Sequence, residues 1–365
     1  MIINFNNYNL EDFHKKLVKF CDQDAWLIYP SEVGLKWTQE NKIFRSSIWS
    51  LDGELLSAGF PKFTNLGENP ENFPIPISLD NSKIISKEDG TLMIVDFYNN
   101  QLNLRTRGTV SYKTLDNFRD FDFVLNKYPE IRKLAKDVQE KTWLFELVTP
   151  NQKIVLNYGS EPDCFLIGAI NKEDYSMTNQ RVLDGFADLR FLKRPAYYSF
   201  SDLDLLISFF KDAVKIEGCC IYSNKDQDIH KLKTDYYLRL HRLKSSFRSF
   251  KFILEWYVYA GCPAFDLAHN IISNTIDFEI AEDIKSDLLK LSSAAQEMNL
   301  LINKLNLFIN SIRELDRKSQ AILIIENYKS FSGVAFTLLD NKEINDKQKI
   351  KILNDIIEKS SKLLK

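Results

Sequence analysis

Ile84-Ile85-Ser86-Lys87-Glu88-Asp89-Gly90-Thr91-Leu92-Met93-Ile94-Val95 is the stretch on which the reading of this chain turns. Two apolar, strand-like runs flank a short polar turn, and the turn reads Lys-x-Asp-Gly. The glycine lets the backbone reverse so that the lysine points into a cleft. A lysine amine held there is a nucleophile suited to a phosphorus atom. A solvated hairpin turn carries the same four letters, so the reading depends on what recurs downstream.

Composition bounds the rest. At 365 residues the chain suits two domains better than one, and with 44% hydrophobic and 13% aromatic residues it supplies a substantial core. The 48 basic residues are balanced by 50 acidic ones. That excludes a global basic field, so a polyanion must be held by a local patch. Five scattered cysteines (Cys21, Cys164, Cys219, Cys220, Cys262) form no Cys-x-x-Cys pair. Neither a zinc site nor a disulfide framework is indicated, and a reducing cytoplasm is expected. Four histidines weigh against histidine-based catalysis. No basic-then-apolar leader and no apolar run of membrane-spanning length is expected, hence no membrane partner.

Taken in order, Leu10, Phe13, Leu17 and Phe20 recur at helical spacing and predict a first helix from near Asn9. Strands are expected at 26–29 and 43–50. The second carries Arg45, which locally reads as an edge-strand residue facing solvent. Lys62 lies between Phe60 and Phe63, which must pack, and is less free than most surface lysines. After Gly90 a hairpin is expected, with arms 92–97 and 102–110 about Asn99-Asn100. Alternation puts Arg105, Arg107 and Lys113 on one polar face of the second arm. A helical stretch follows over 115–140.

Thr142 to Val148 reads as a buried strand with one carboxylate, Glu146, which is costly there unless paired or bonded. A turn at 149–152, a return strand over 153–158 and an apolar strand over 164–170 come next. Glu217-Gly218 opens another buried strand, Ile216 to Tyr222. Lys231-Leu232-Lys233 then puts two lysines on one strand face, where they repel unless an anion lies between them. From Thr234 onward the pattern is helical. Leu288, Leu291, Ala295, Met298, Ile302, Leu305, Ile309 and Ile312 alternate spacings of three and four. The stripe reads as the inner face of a bundle in a monomer, with a dimerising coiled coil as the other reading.

Lys87-Glu88-Asp89-Gly90, Phe145-Glu146, Glu217-Gly218 and Lys231-Leu232-Lys233, in this order, resemble the motifs of the covalent lysyl-nucleotidyltransferases, the ATP-dependent ligases and mRNA capping enzymes. More narrowly, the chain resembles the RNA ligase 1 family of phage T4, which repairs cut tRNA. Pro61-Lys62-Phe63-Thr64-Asn65, Leu104-Arg105-Thr106-Arg107-Gly108 and Lys231 to Tyr237 carry the narrower likeness, which covers roughly residues 40 to 242. Two departures stand out. Arg45 is followed by Ser46-Ser47 where the family has glycine, and Arg107 stands where a lysine is expected.

The resemblance implies an α+β fold: an antiparallel-sheet nucleotidyltransferase (ATP-grasp-like ligase) domain over 1–243 and an all-α domain over 244–365, a candidate RNA-specificity module. It implies an ATP-dependent RNA ligase acting through lysyl-AMP and RNA-adenylate to join RNA 3′-OH and 5′-phosphate ends, with cleaved tRNA as a candidate substrate. Lys87 is the implied nucleophile, with Lys231 and Lys233 beside the α-phosphate. Those two cations, with Mg²⁺ (or Mn²⁺), are expected to lower the Lys87 pKa. Glu217 is the first choice for the metal, and Glu146 is expected to hold the ribose hydroxyls first and the metal second. Arg45 lines the ATP pocket, Lys62 and Arg107 reach the outer phosphates, and Asp89 and Gly90 shape the lysine turn. Phe165 and Ile167 are candidates for the adenine face. The segment 236–251, with Arg239, Arg242, Lys244, Arg248 and Lys251 among aromatics, reads either as an RNA-end patch or as a solvated helix. Rival readings are a DNA ligase or capping-type enzyme, against which the helical tail speaks, and a non-catalytic RNA- or nucleotide-binding protein of the same fold.

Overall fold

The computed structural model describes residues 3–363 other than 33, 77, 151–155, 157, 276 and 277. The chain divides into two compact units, Met1–Arg239 and Leu240–Lys365.

Three sheets build the first unit. The first, in the order β1-β2-β3-β4, consists of β1 (Phe13–Phe20), β2 (Gln23–Pro30), β3 (Ser47–Ser50) and β4 (Leu55–Ser57). The expected N-terminal helix is therefore a strand. Phe13 and Phe20, seven residues apart, fall on opposite faces of β1 and enter two different cores. The hairpin closes at Cys21-Asp22, both with positive φ, the turn geometry that matches strand twist. Lysines along β1 suit an unpaired sheet edge. The strand expected over 43–50 is also shorter: Asn41–Arg45 is a 3₁₀ turn, which swings Arg45 off the sheet edge.

The third sheet draws on scattered segments: β5 (Thr64–Asn65), β6 (Lys83–Lys87), β11 (Tyr197–Tyr198), β12 (Gly218–Ser223) and β13 (Asp228–Lys233), ordered β11-β6-β12-β13-β5. The second sheet contains β7 (Thr91–Tyr98), β8 (Gln101–Arg105), β9 (Lys141–Val148) and β10 (Asp163–Asn171), ordered β10-β9-β7-β8. The return strand expected over 153–158 lies largely outside the described residues.

One apolar core joins all three sheets: Ile28, Trp49 and Leu55 from the first, Ile94, Leu144 and Ile170 from the second, Ile85, Cys220 and Ile229 from the third. The far face of the second sheet is covered by helices Phe118–Lys127, Glu130–Asp137 and Gln180–Arg190. That of the third is covered by Leu203–Asp212. With both faces of the second and third sheets covered, their central strands read as nearly continuous apolar runs, and polar residues within these sheets stand out.

Arg105 is one of these. Expected on a solvated face, it is instead 0% exposed. Its guanidinium donates to Ser57 Oγ at 2.8 Å and Ser46 Oγ at 2.9 Å, and to the carbonyls of both serines. Asp96 accepts from Ser57 and Thr142, each at 2.5 Å, and Lys172 lies 3.4 Å from it. Arg105 pairs with Ile94, so its face is the one turned toward the first sheet, which supplies the partners that sequence alternation cannot show.

In the second unit every regular element among the described residues is helical. The stripe on Lys285–Ile312 faces that unit's own core, packed by Phe265–Thr275, Ser332–Leu339 and Asp346–Leu363. One stretch, Arg317–Leu339, is long and apolar enough by length and composition to cross a membrane, contrary to the expectation that none is. It is interrupted by a 3₁₀ turn at Lys329–Phe331.

Removing the guanidinium from a buried charged network leaves its partners uncompensated, so Arg105→Met is expected to lower unfolding free energy by about 3 kcal/mol. The midpoint of urea unfolding measures this.

Candidate active site

Register decides which side chains meet. Across β6, β12 and β13, Lys87 lies opposite Gly218, and Gly218 opposite Lys233. In the next row Ile85 lies opposite Cys220, and Cys220 opposite Lys231. Side-chain alternation puts these residues on the face turned toward the second sheet. From that sheet Leu92 and Glu146, opposite each other, look back. Between them lies a cavity of about 550 Å³. Phe60, Ile85, Leu92, Ile167, Cys220 and Tyr222 line its apolar part, and Arg45, Lys87, Arg107, Glu146, Lys231 and Lys233 its polar part.

Two glycines allow the close approach. A Cβ on Gly90 would sit 2.2 Å from the Leu147 carbonyl oxygen, and one on Gly218 would sit 1.9 Å from that of Leu232. Gly90 N–H donates to Glu146 Oε1 at 3.1 Å, tying the lysine turn to the second sheet. Asp89 is buried and bolts the turn from the other side. Its carboxylate accepts from the Tyr237 hydroxyl at 2.7 Å and the Leu156 N–H at 2.9 Å, and its own N–H donates to the Tyr158 hydroxyl at 2.7 Å.

Glu217 is 2% exposed and lies between two lysines: Lys87 Nζ is 2.8 Å from Oε2, and Lys233 Nζ is 2.8 Å from Oε1. Of the Lys-x-Lys arm this carboxylate pairs with Lys233, and its other oxygen goes to Lys87 rather than to Lys231. It also overturns the expected electrostatics of Lys87. Burial lowers that pKa, but Glu217 and Glu146 outweigh it and hold the amine above its ordinary range. The cations depress Lys231 instead. Burial, then Arg45, Lys233, Lys62 and Lys87 bring it down to about 8. Glu146 moves the other way, raised to about 7 by burial, with Lys87 opposing and Glu217 adding to the rise. Arg45 is lowered to about 10 by burial and then Arg107.

Arg45 and Lys231 lie over the Phe63 ring, 5.3 and 5.5 Å from its centroid. Parallel pairing of β5 with β13, Asn65 opposite Lys231, sets this arrangement. Lys62 lies over Trp37 at 5.7 Å, and burial pulls its pKa down. It borders a second cavity shared with Arg45 and Arg107 rather than the first. Of the two residues considered for the adenine face, Ile167 lines the cavity from a bulge in β10, whereas Phe165 contacts Tyr158. Lys113 is not part of either cavity lining.

Sequence reasoning missed Tyr158, Tyr237, Glu88 and the cation-bearing role of Phe63. Tyr237 belongs to the stretch after Lys233 that resembled the family; nothing local marked Tyr158. Among the described residues no group of three or more His, Cys, Asp or Glu side chains converges to hold a metal by itself. Glu146 and Glu217 supply two carboxylates, which suits a hard cation only if phosphate oxygens and water complete its shell.

A family model described as RNA ligase, of the T4 type, matches residues 35–257, more than half of the chain. The chain thus belongs to the RNA ligase family. A relative from Autographa californica nuclear polyhedrosis virus, named as a bifunctional polynucleotide kinase/RNA ligase, is 24% identical over 219 residues. That match covers 52% of this chain and only 29% of the relative's length. Among solved structures, an archaeal ATP-dependent RNA ligase aligns with a TM-score of 0.47 at 11% identity, over 77% of this chain and 73% of the other. A Naegleria gruberi RNA ligase variant with ATP and Mn aligns with a TM-score of 0.41 at 14% identity, over 63% and 76%.

Lys231 loses its charge as pH rises through about 8. The advantage of the wild type over Lys231→Met in AMP affinity is therefore expected to shrink about tenfold between roughly pH 7 and pH 9. Titration calorimetry reads it, and taking the ratio cancels the ligand's own ionisation. A ratio constant with pH contradicts the assignment.

Proposed function

We propose that this chain is an ATP-dependent RNA ligase that loads Lys87 with adenylate before it joins an RNA 5′-phosphate to a 3′-hydroxyl. One observation carries the reading: Lys87, Glu146, Glu217, Lys231, Lys233, Arg45 and Arg107, drawn from separate stretches of the chain, converge about one cleft. Its apolar part suits a purine and its cationic part a polyphosphate.

In the first step Lys87 Nζ attacks the α-phosphorus of ATP, a P–N bond forms, and pyrophosphate leaves. The amine must first lose its proton. Glu217 Oε2, 2.8 Å away, is the acceptor within reach, and the Lys87–Glu217 pair must open for attack. Lys231 and Lys233 stand where negative charge builds on the α-phosphate. Arg45, Lys62 and Arg107 meet the outer phosphates. Glu146 serves the ribose hydroxyls while holding the turn through Gly90. Glu217 and Glu146 would hold Mg²⁺ or Mn²⁺ together with phosphate oxygens, and the ion when bound offsets charge on the α-phosphate. In the later steps AMP passes to the RNA 5′-phosphate, and a 3′-hydroxyl displaces it.

Cleaved tRNA is the substrate class we place first, with the helical unit as its selector and the basic-aromatic segment 236–251 as a contact. This helix-rich stretch begins in Asp235–Ser246.

Incubation with ATP and Mg²⁺ is expected to add the mass of one adenylate to the intact protein. Lys87→Ala is expected to abolish the adduct while still unfolding cooperatively, with a melting temperature lowered by roughly 5–10 °C because Glu217 keeps only Lys233 as its partner. Mass spectrometry decides. An unmodified wild type under several divalent ions would reject the ligase reading in favour of a nucleotide binder.

A further inference from the structure

A second cavity of about 590 Å³ opens beside the first and shares Arg45, Arg107 and Gly108 with it. Its lining holds four cations, Lys16, Arg45, Lys62 and Arg107, against one carboxylate, Glu32. Two aromatic side chains, Tyr29 and Trp37, complete it. Lys16, Tyr29 and Trp37 belong to none of the nucleotidyltransferase motifs. The β1–β2 register sets His14 opposite Tyr29 and Lys16 opposite Leu27, so Lys16 and Tyr29 share one face. Trp37 is fixed edge-on against Phe13 at 6.0 Å and carries Lys62 over its ring. Cations beside stacking platforms are the chemistry that holds single-stranded nucleic acid.

Stereochemistry says which strand belongs there. Displacement at phosphorus runs in line, so attacking and leaving groups occupy opposite apices. Lys87 occupies one apex in both half-reactions, as attacker in the first and leaving group in the second. Pyrophosphate therefore departs from the opposite apex, and the RNA 5′-phosphate must later arrive at that same place. Lys87 and Lys233 line only the first cavity, and the second lies beyond Arg45 and Arg107.

We propose that the second cavity, bounded by Lys16, Tyr29 and Trp37, docks the 5′-phosphorylated terminal nucleotide of the donor RNA strand. The assignment rests on the ligase reading above. Arg45, Lys62 and Arg107 receive the terminal phosphate once pyrophosphate has gone, Trp37 or Tyr29 stacks on the base, and Lys16 meets the following phosphate. In the step this serves, a 5′-phosphate oxygen attacks the α-phosphorus of lysyl-AMP. A P–O bond forms, giving the pyrophosphate link of RNA-adenylate. The P–N bond to Lys87 breaks, and the departing nitrogen takes one proton from solvent to become the amine.

Two measurements on the full chain test it. First, lysyl-adenylate formation and transfer of preloaded AMP to a 5′-phosphorylated RNA oligonucleotide are timed separately. Trp37→Ala and Lys16→Ala are expected to slow transfer about tenfold more than they slow loading, through the KM for RNA, and Trp37→Phe to restore most of the loss. Equal losses in the two half-reactions, or no loss in transfer, overturn the assignment. Second, fluorescence anisotropy compares 5′-phosphorylated with 5′-hydroxyl oligonucleotide on the unloaded protein. A preference for the phosphorylated end that both alanine variants lose supports the site; equal affinity for the two ends overturns it. A wild type that binds phosphorylated ends yet never takes up adenylate rejects the ligase reading while leaving the end-binding cavity in place.

Discussion

The carboxylate of Glu217 is the interaction on which the site depends. It is buried, and each oxygen meets a lysine at 2.8 Å. A carboxylate at such a depth is tolerated only with charge partners of good geometry, and removing either one leaves it uncompensated. The pair Lys87 and Lys233 is equally dependent on Glu217, since two ammonium groups on one sheet face repel. The triad thus holds the Lys87 strand and the Lys-x-Lys strand in one relation. Gly218 allows the strands to approach there, because any side chain at that position would meet the Leu232 carbonyl.

The triad is also a resting arrangement. Against burial, which lowers it, Glu217 and Glu146 hold the Lys87 amine above its ordinary range. Burial first, and then the surrounding cations, bring Lys231 down to about 8. Any anion in this cleft relieves Lys231 and competes with Glu217 for the other cations.

Depth in the scaffold makes this placement reproducible. A single apolar core reaches all three sheets, and the Arg105–Ser57–Asp96 network ties the first sheet to the second beneath it. Arg45 and Lys62 come from connections leaving that first sheet, so their reach into the cleft depends on a contact made elsewhere. The Lys87 turn is held at both ends, by Glu146 through Gly90 and by Tyr158 and Tyr237 through Asp89. Four separate segments thus meet at the Lys87 turn.

Much of this was legible in the linear order of residues. Lone carboxylates in apolar strands, Glu146 and Glu217, announce themselves because burial demands a partner, and Lys-x-Lys on one strand face announces the need for an anion. The alternation of apolar residues placed most strands and the helical tail without reference to the rest of the chain. What the order could not state was which partner each charge takes. Arg105 and Arg107 look alike on one strand, yet one is fully buried against serines of another sheet and the other borders two cavities. Phe13 and Phe20 sit at a spacing that a helix would use, and only pairing with β2 makes it a strand with two faces. Periodicity and burial cost are local and can be read from sequence. Pairing between strands far apart along the chain sets the fields, the pKa values and the second cavity, and those arise only once the three sheets are packed together.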